Sequence, residues 1–433
     1  MNRRIKPLAI STRTSALERN TKLAAWHLRK TPPSQGAEPS DMGSPVWHYF
    51  GICHLTKSPA RKVLGFSDWH TMDFIEDQQT AVSTCAGADS GVLVSVVIPT
   101  YNAAPYIADT LDSVFAQTFR NFEVIVVNDG SPDTAALEQA LQPYLSRIRY
   151  LKQENRGPSA ARNRAIRQGR GKYVAFLDSD DLWLPMHLGR QLESLARGPD
   201  LGLVYANGVH FEENVPLGTA FASVPQSEQV TLESLLAEQC TINTSSVVAS
   251  REAMLRVGLF DENMNRCEDF DLWLRLSYDG VRMSYDREVQ VCHRLGRGLS
   301  ADRELMKRGR LEVYKKIAAN GLLTQAQRSI IAAKLKTLEV EIQVELTKQA
   351  LLAGKFREAL SAAECANSHT HAIKLGVAEL GLRCFPGLMR WLYRIYVRVL
   401  GLYRRSRRVR STRIDVQGKP VDFEMLIRRR PVR

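Results

Sequence analysis

The chain has few features that would tie it to a covalent framework. Its seven cysteines, Cys53, Cys85, Cys240, Cys267, Cys292, Cys365 and Cys384, are scattered, and no two form a C-x-x-C pair. That spacing excludes a zinc-ribbon pattern and a disulfide scaffold, and it fits reduced thiols in a cytosolic setting. Long apolar runs are also missing. No uninterrupted stretch approaches the roughly 20 residues that cross a bilayer, and the basic start is not followed by the apolar core of a secretory leader. Acidic residues are in the minority: 59 Lys/Arg stand against 46 Asp/Glu, a formal charge of +13.

That charge is unevenly placed. Residues 1–70 hold 11 Lys/Arg against 4 Asp/Glu, and residues 383–433 hold 15 against 3. The segment between them, 71–382, carries a net charge of −6. Basic ends favour phosphate, either of nucleic acid or of an anionic membrane surface. Against nucleic acid, the middle is acidic and no RNA-binding fingerprint or basic–aromatic interleaving is present, so no nucleic-acid partner is expected.

At 433 residues, the chain exceeds one ordinary domain. Residues 1–91 are polar and basic, with turns such as TPPSQG and no sustained period. They are read as a poorly ordered extension. From residue 92 the texture changes. VLVSVVIP (92–99), FEVIVVND (122–129) and YVAFL (173–177) read as buried strands, and IRYLKQ (148–153) as a further strand. Helices are expected between them, over 106–117, from about 133, and over 158–169, where Pro158 opens the first turn and Gly169 closes the last. This alternation implies an α/β fold with a Rossmann-like, mostly parallel sheet flanked by helices, over 92–302. Residues 303–433 read as a helical C-terminal region.

In such sheets ligands bind beyond the carboxyl ends of the strands. Polar residues collect there: Thr100-Tyr101-Asn102, Asn128-Asp129-Gly130-Ser131, and Asp178-Ser179-Asp180-Asp181. Asp178 and Asp180, two apart on a segment leaving a strand, can present carboxylates to one divalent cation beside a diphosphate. The same triplet is also a common turn, and Asp181 is expected to cap a following helix. Glu268 and Asp269 open an amphipathic helix, where acidic residues suit the dipole and where one carboxylate could serve as a general base. Arg162 lies on the polar side of the 158–169 helix and could clamp phosphate.

Taken in order, SVVIPTYN, FEVIVVNDGSPD, ENRGPSAARNRAI, GKYVAFLDSDDLWLP and GLFDENMNRCEDFDLWLRL resemble the family 2 glycosyltransferases with the GT-A fold, over about residues 92–300. The resemblance implies inverting transfer of a sugar from a nucleoside-diphosphate sugar to a hydroxyl of a glycan or lipid-linked acceptor. It implies that Pro99, Thr100, Tyr101 and Asp129 hold the nucleoside, that Arg162 lies near the diphosphate, and that Asp178 lies near the ribose and metal. It further implies that Asp180 binds Mg²⁺ or Mn²⁺ and that Asp269 is the base, with Glu268 beside it as the second choice. Two departures stand out. Asn128 replaces a frequent Asp, and Leu295 takes a position where relatives often have His, with His293 two residues away. The alternatives are a degenerate, non-catalytic homologue and a basic nucleic-acid-binding protein with a Rossmann-like core, which the charged ends favour and the acidic middle does not. The intact Asp-x-Asp and Glu-Asp pairs argue against the former.

The stretch CFPGLMRWLYRIYVRVLGLYRRSRR (384–408) places Arg390, Arg394 and Arg398 on one helical stripe among Trp, Tyr and aliphatic residues. Burying three arginines excludes a span. A helix over 385–403 lying in a membrane interface, followed by a basic tail, fits the pattern. A helix packed on the protein's own core fits as well. The expected location is cytoplasmic, peripheral on the inner face of the cytoplasmic membrane.

Overall fold

The computed structural model describes residues 91–410 except 199, 213–214, 225, 296–301 and 371. The expected N-terminal extension and the basic tail beyond 410 lie outside the described residues.

The elements follow in chain order. The first half comprises β1 (Val94–Thr100), α1 (Ile107–Phe115), β2 (Phe122–Asp129), α2 (Thr134–Leu141), β3 (Arg149–Gln153), α3 (Gly157–Gln168), β4 (Tyr173–Phe176), β5 (Leu182–Trp183) and α4 (His187–Arg197). The second half of the sheet brings β6 (Leu201–Glu212), β7 (Val215–Thr219), α5 (Ala220–Ser223), α6 (Leu232–Leu236), β8 (Val248–Ser250), α7 (Arg251–Arg256), α8 (Glu268–Tyr278) and β9 (Arg282–Arg294). The C-terminal region is α9 (Arg303–Asn320), α10 (Gln325–Ala353), α11 (Phe356–Thr370), α12 (Ile373–Cys384) and α13 (Pro386–Arg410).

Among the described residues the strands form one sheet ordered β3-β2-β1-β4-β8-β6-β9-β5, with β7 paired to β6. The first four strands pair in parallel. The apolar runs of β1, β2 and β4 are buried, which is what a parallel sheet covered by helices requires, whereas β3 at the sheet edge is only partly buried. Beyond β4, β8 runs antiparallel, β6 pairs antiparallel to it, and β9 returns parallel to β6. The α/β fold and the helical C-terminal region are as the sequence predicts. Register aligns the polar strand ends: Thr100 is level with Asn128, and Asp129 with Gln153.

Side chains from the two faces of the sheet form two cores. One gathers Val96, Ile98, Leu111, Leu137 and Leu188 under α1, α2 and α4. The other gathers Val97, Ile166, Phe176, Trp273 and Leu276 under α3 and α8, and Val313, Tyr314, Ile331 and Leu338 of α9 and α10 join it. Packing therefore crosses the expected boundary at 302. A small separate cluster, Leu351, Ala359, Ala363 and Leu382, ties α10, α11 and α12 together.

Asp181 does not cap a helix. The residues after it form the short strand β5, which pairs antiparallel with β9. The Asp181 side chain is instead fully buried among groups from two other parts of the chain, Ser245 and the His293–Arg294 pair.

Candidate active site

The site is built where β1, β2 and β4 end. At the β1 end, Thr100 is buried and its hydroxyl donates to the Val127 carbonyl at 3.0 Å. Its side chain is committed to the sheet, so the expected nucleoside contact falls to the backbone and to its neighbours. Pro99 is partly buried, and Tyr101 presents a half-exposed ring.

At the β2 end, Asp129 is nearly inaccessible, and its Oδ1 accepts from Gln153 Nε2 at 2.8 Å and from the Arg156 backbone N–H at 2.9 Å. The next residue must be glycine. Gly130 has φ +64°, and a Cβ there would sit 2.5 Å from the Asn155 backbone nitrogen. That close approach lets the β3–α3 loop fold down onto Asp129.

Arg162, expected near the diphosphate, is buried. Its Nη2 donates to Asp178 Oδ1 at 2.7 Å and its Nη1 to Glu268 Oε1 at 2.8 Å. The two ends of its fork are occupied by carboxylates, so Arg162 bridges Asp178 and Glu268 in this structure. Burial opposes its charge, but the Asp178 and Glu268 charges hold the guanidinium protonated. Small residues make this position accessible: Ala160, Ala161 and Ala165 bring α3 close to the sheet. The adjacent Asn163 exchanges hydrogen bonds with the Phe260 backbone and also donates to Glu262. In this way α3 anchors the loop that leads into α8.

Cys267, immediately before α8, is left-handed at φ 59°. A non-glycine residue there is strained, and the turn starts α8 with Glu268 and Asp269 in its first turn. Glu268 is buried against Arg162. Burial raises its pKa, Arg162 pulls it back, and Asp269 adds to the rise. Asp269 is more open. Its Oδ2 accepts from Thr244 Oγ1 at 2.8 Å. Thr244 and Ser245 lie in a 3₁₀ turn, Thr244–Ser246. No period or motif marks that turn in the sequence, and the Asn243 side chain, accepting from the Ser245 N–H, is its one local signal.

The Asp178–Asp181 segment is held from both sides. The Asp178 N–H donates to Ser245 Oγ, and Thr110 Oγ1 donates to the carbonyls of Ser179 and Asp181. Asp181 Oδ2 accepts from Ser245 Oγ at 2.6 Å and meets His293 Nδ1 at 2.9 Å, while its Oδ1 accepts from the Arg294 N–H at 2.8 Å. Burial opposes ionisation of Asp181, but these contacts prevail and hold it below the usual range. For His293, burial opposes protonation, yet the Asp181 charge and hydrogen bond, with Asp178 and Asp180 adding, raise its pKa to about 9. Asp180 is the carboxylate in deficit. Burial and the charges of Asp181 and Asp178 push its pKa up to about 7, with His293 partly offsetting them.

Among the described residues, no group of three or more His, Cys, Asp and Glu side chains is arranged to hold a metal ion. The donor set instead fits a hard cation held by one or two carboxylates and completed by ligand phosphates and water. Asp180, with Asp178 beside it, is where a positive charge would relieve the crowding.

Sequence reading missed Arg294. Its Nε donates to the Asp180 carbonyl at 3.0 Å, and its guanidinium lies 4.8 Å from the Tyr106 ring centroid and 4.5 Å from that of Phe211.

The glycosyl transferase family 2 model matches residues 95–262. An Escherichia coli protein named UDP-Glc:alpha-D-GlcNAc-diphosphoundecaprenol beta-1,3-glucosyltransferase is 33% identical over 188 residues, 43% of this chain and 70% of that one. An uncharacterized glycosyltransferase of Methanocaldococcus jannaschii is 30% identical over 208 residues, 47% of this chain and 71% of that one. An uncharacterized glycosyltransferase of Rickettsia bellii is 33% identical over 190 residues. The match spans 42% of this chain but only 27% of that longer relative.

Proposed function

The chain belongs to glycosyl transferase family 2, and from that premise we propose that it transfers a sugar, with inversion, from a nucleoside-diphosphate sugar to a hydroxyl of a glycan or lipid-linked acceptor. One observation carries the reading. A single buried guanidinium, Arg162, joins Asp178 at the donor end to Glu268 at the base end, each within 2.8 Å. That bridge supports a single site in which Asp178, beside Asp180, and Glu268, beside Asp269, act together.

The ion pair also separates the roles of the two acidic residues. Glu268 is engaged by Arg162 and acts as a positioning residue. Asp269, oriented by Thr244, is the group left to accept a proton. The acceptor oxygen forms a bond to the anomeric carbon, the bond from that carbon to the diphosphate oxygen breaks, and its electron pair leaves with the diphosphate. The acceptor proton goes to Asp269. Single displacement inverts the anomeric centre and needs no protein nucleophile.

A divalent cation, Mg²⁺ or Mn²⁺, held by Asp180 and Asp178 would offset the charge gained by the leaving diphosphate. Tyr101, the backbone of Pro99–Thr100, and Asp129 contact the nucleoside. By analogy with the E. coli relative, which is named as a UDP-Glc-dependent glucosyltransferase acting on a diphosphoundecaprenol-linked sugar, we read the donor as a UDP-sugar and the acceptor as part of a surface polysaccharide or cell-envelope glycolipid. No helix of the described residues is long and apolar enough to cross a membrane. The amphipathic C-terminal helix is read as holding the protein on the inner face of the cytoplasmic membrane.

A thermal-shift panel of nucleoside diphosphates and sugar nucleotides, with and without Mn²⁺, tests this reading. The expected outcome is a Mn²⁺-dependent rise in Tm with one nucleotide, lost in Asp180→Ala. Stabilisation that is independent of Mn²⁺, or that persists in Asp180→Ala, contradicts the metal assignment.

A further inference from the structure

The last two helices expose apolar side chains that nothing in the described fold covers. On α12, Ile373, Val377 and Leu380 fall at helical spacing on one stripe, and Ile373 is 85% exposed. On α13, Leu388, Trp391 and Ile395 repeat that spacing, and Trp391 is 58% exposed. The side of α13 that meets the protein is narrow: Met389 and Tyr393 pack on Leu351, Ala359, Ala363 and Leu382, and Arg390 donates to the Leu352 carbonyl at 2.9 Å. Apolar side chains aligned and exposed along a helix face mark an interaction site.

The charges around these residues indicate what covers them. Arg394 and Arg398 are exposed among the apolar residues of α13, and residues 383–433 hold 15 Lys/Arg against 3 Asp/Glu. Against a second copy of the same helices, two-fold pairing would set this positive charge against itself. An anionic bilayer complements it, with apolar side chains entering the acyl boundary and Trp and Arg at headgroup depth.

These helices are not remote from the site. α13 packs against β7, and β7 pairs with β6. Phe211 of β6 stacks on the Arg294 guanidinium, whose Nε binds the Asp180 carbonyl. We propose that α12 and α13 together form a lipid-docking platform that seats the protein on an anionic bilayer and, through the β6–β7 hairpin, presents the cleft to an acceptor anchored in that bilayer. The statement about the acceptor rests on the transferase reading; the docking statement does not.

The test is flotation of the full chain with vesicles of equal parts phosphatidylglycerol and phosphatidylcholine, and with pure phosphatidylcholine vesicles. The expected result is binding to the anionic vesicles only. The paired variant Val377→Asp/Leu380→Asp and the single variant Trp391→Asp should each lower it by about tenfold or more, with Tm and circular dichroism unchanged. Wild-type binding by the α12 pair overturns the two-helix platform, and equal binding to neutral vesicles overturns the lipid assignment. A solution dimer dispersed by Trp391→Asp identifies the cover as a second copy and also overturns the proposal.

The same variants should keep the wild-type rate toward a short-chain, detergent-soluble acceptor and lose rate toward one in vesicles. Equal loss on both acceptors overturns the presentation step. If no sugar nucleotide supports transfer at all, the transferase reading fails while flotation still decides the platform.

Discussion

Removing the Arg162 guanidinium would leave the Asp178 and Glu268 carboxylates in one partly buried space with no counter-charge. Breaking a buried pair costs about 3–5 kcal/mol, and the partial exposure of Asp178 favours the lower end of that range. Arg162→Met is therefore expected to lose about 3 kcal/mol in urea unfolding, with Arg162→Lys recovering only part, since an ammonium cannot bind both carboxylates as a fork. An unchanged midpoint in Arg162→Met would refute the bridge. The His293–Asp181 pair makes a pH prediction. The His293 pKa rises from 6.5 in the free side chain to about 9 in the fold, so its contribution is fully present below about 6.5 and is lost as pH climbs through 9. The Tm of wild type should fall across that window more steeply than that of His293→Gln, and parallel curves would refute the pairing. The sequence marked Asp181 as acidic and placed it at a turn. Its role is set by His293, Arg294 and Ser245, which are remote in the chain, and no local pattern encodes such contacts.

The strands and helices that position the site obey local rules. β1 and β2 were legible as apolar β-branched runs ending in polar residues, β4 as a shorter apolar run ending at Asp178, β3 mainly from its place between two helices, and α3 from Pro158 and Gly169. Gly130 shows how tightly one strand end is specified. Its left-handed backbone and the 2.5 Å approach to Asn155 leave no space for a Cβ. Gly130→Ala should cost about 1–3 kcal/mol and weaken nucleotide binding by lifting the 155–157 loop off Asp129. Calorimetric titration with the nucleotide found in the thermal-shift panel checks this, and unchanged affinity would contradict it. Other elements were not legible. β5 has two residues and β8 three, too few to show a period, and each exists because a neighbouring strand pairs with it. The Thr244–Ser246 turn that orients Asp269 has no sequence signature beyond Asn243. Arg162 was legible as polar-facing but not as an ion-pair bridge, because Glu268 lies 106 residues away.

Across the whole molecule, the catalytic sheet and the first C-terminal helices are one packed body. Tyr314 of α9 is fully buried, and its hydroxyl donates to the Leu236 carbonyl at 2.7 Å. Tyr314→Phe should cost about 1 kcal/mol and Tyr314→Ala about 3–5 kcal/mol, read by chemical denaturation. Similar small losses for both would mean that α9 is peripheral. Of the charge asymmetry read from the sequence, the described residues show an acidic cluster, Asp178, Asp180, Asp181, Glu268 and Asp269, and a C-terminal helix that carries exposed Arg394 and Arg398; the basic N-terminal segment lies outside them. In the proposed reaction, inverting sugar transfer, Asp269 is the base. The most direct test is the initial rate of transfer by Asp269→Asn, beside wild type, with the donor nucleotide found above and the fold verified by Tm. The expected kcat is lower by at least about 100-fold, with donor KM little changed. Wild-type kcat in Asp269→Asn would contradict the base assignment.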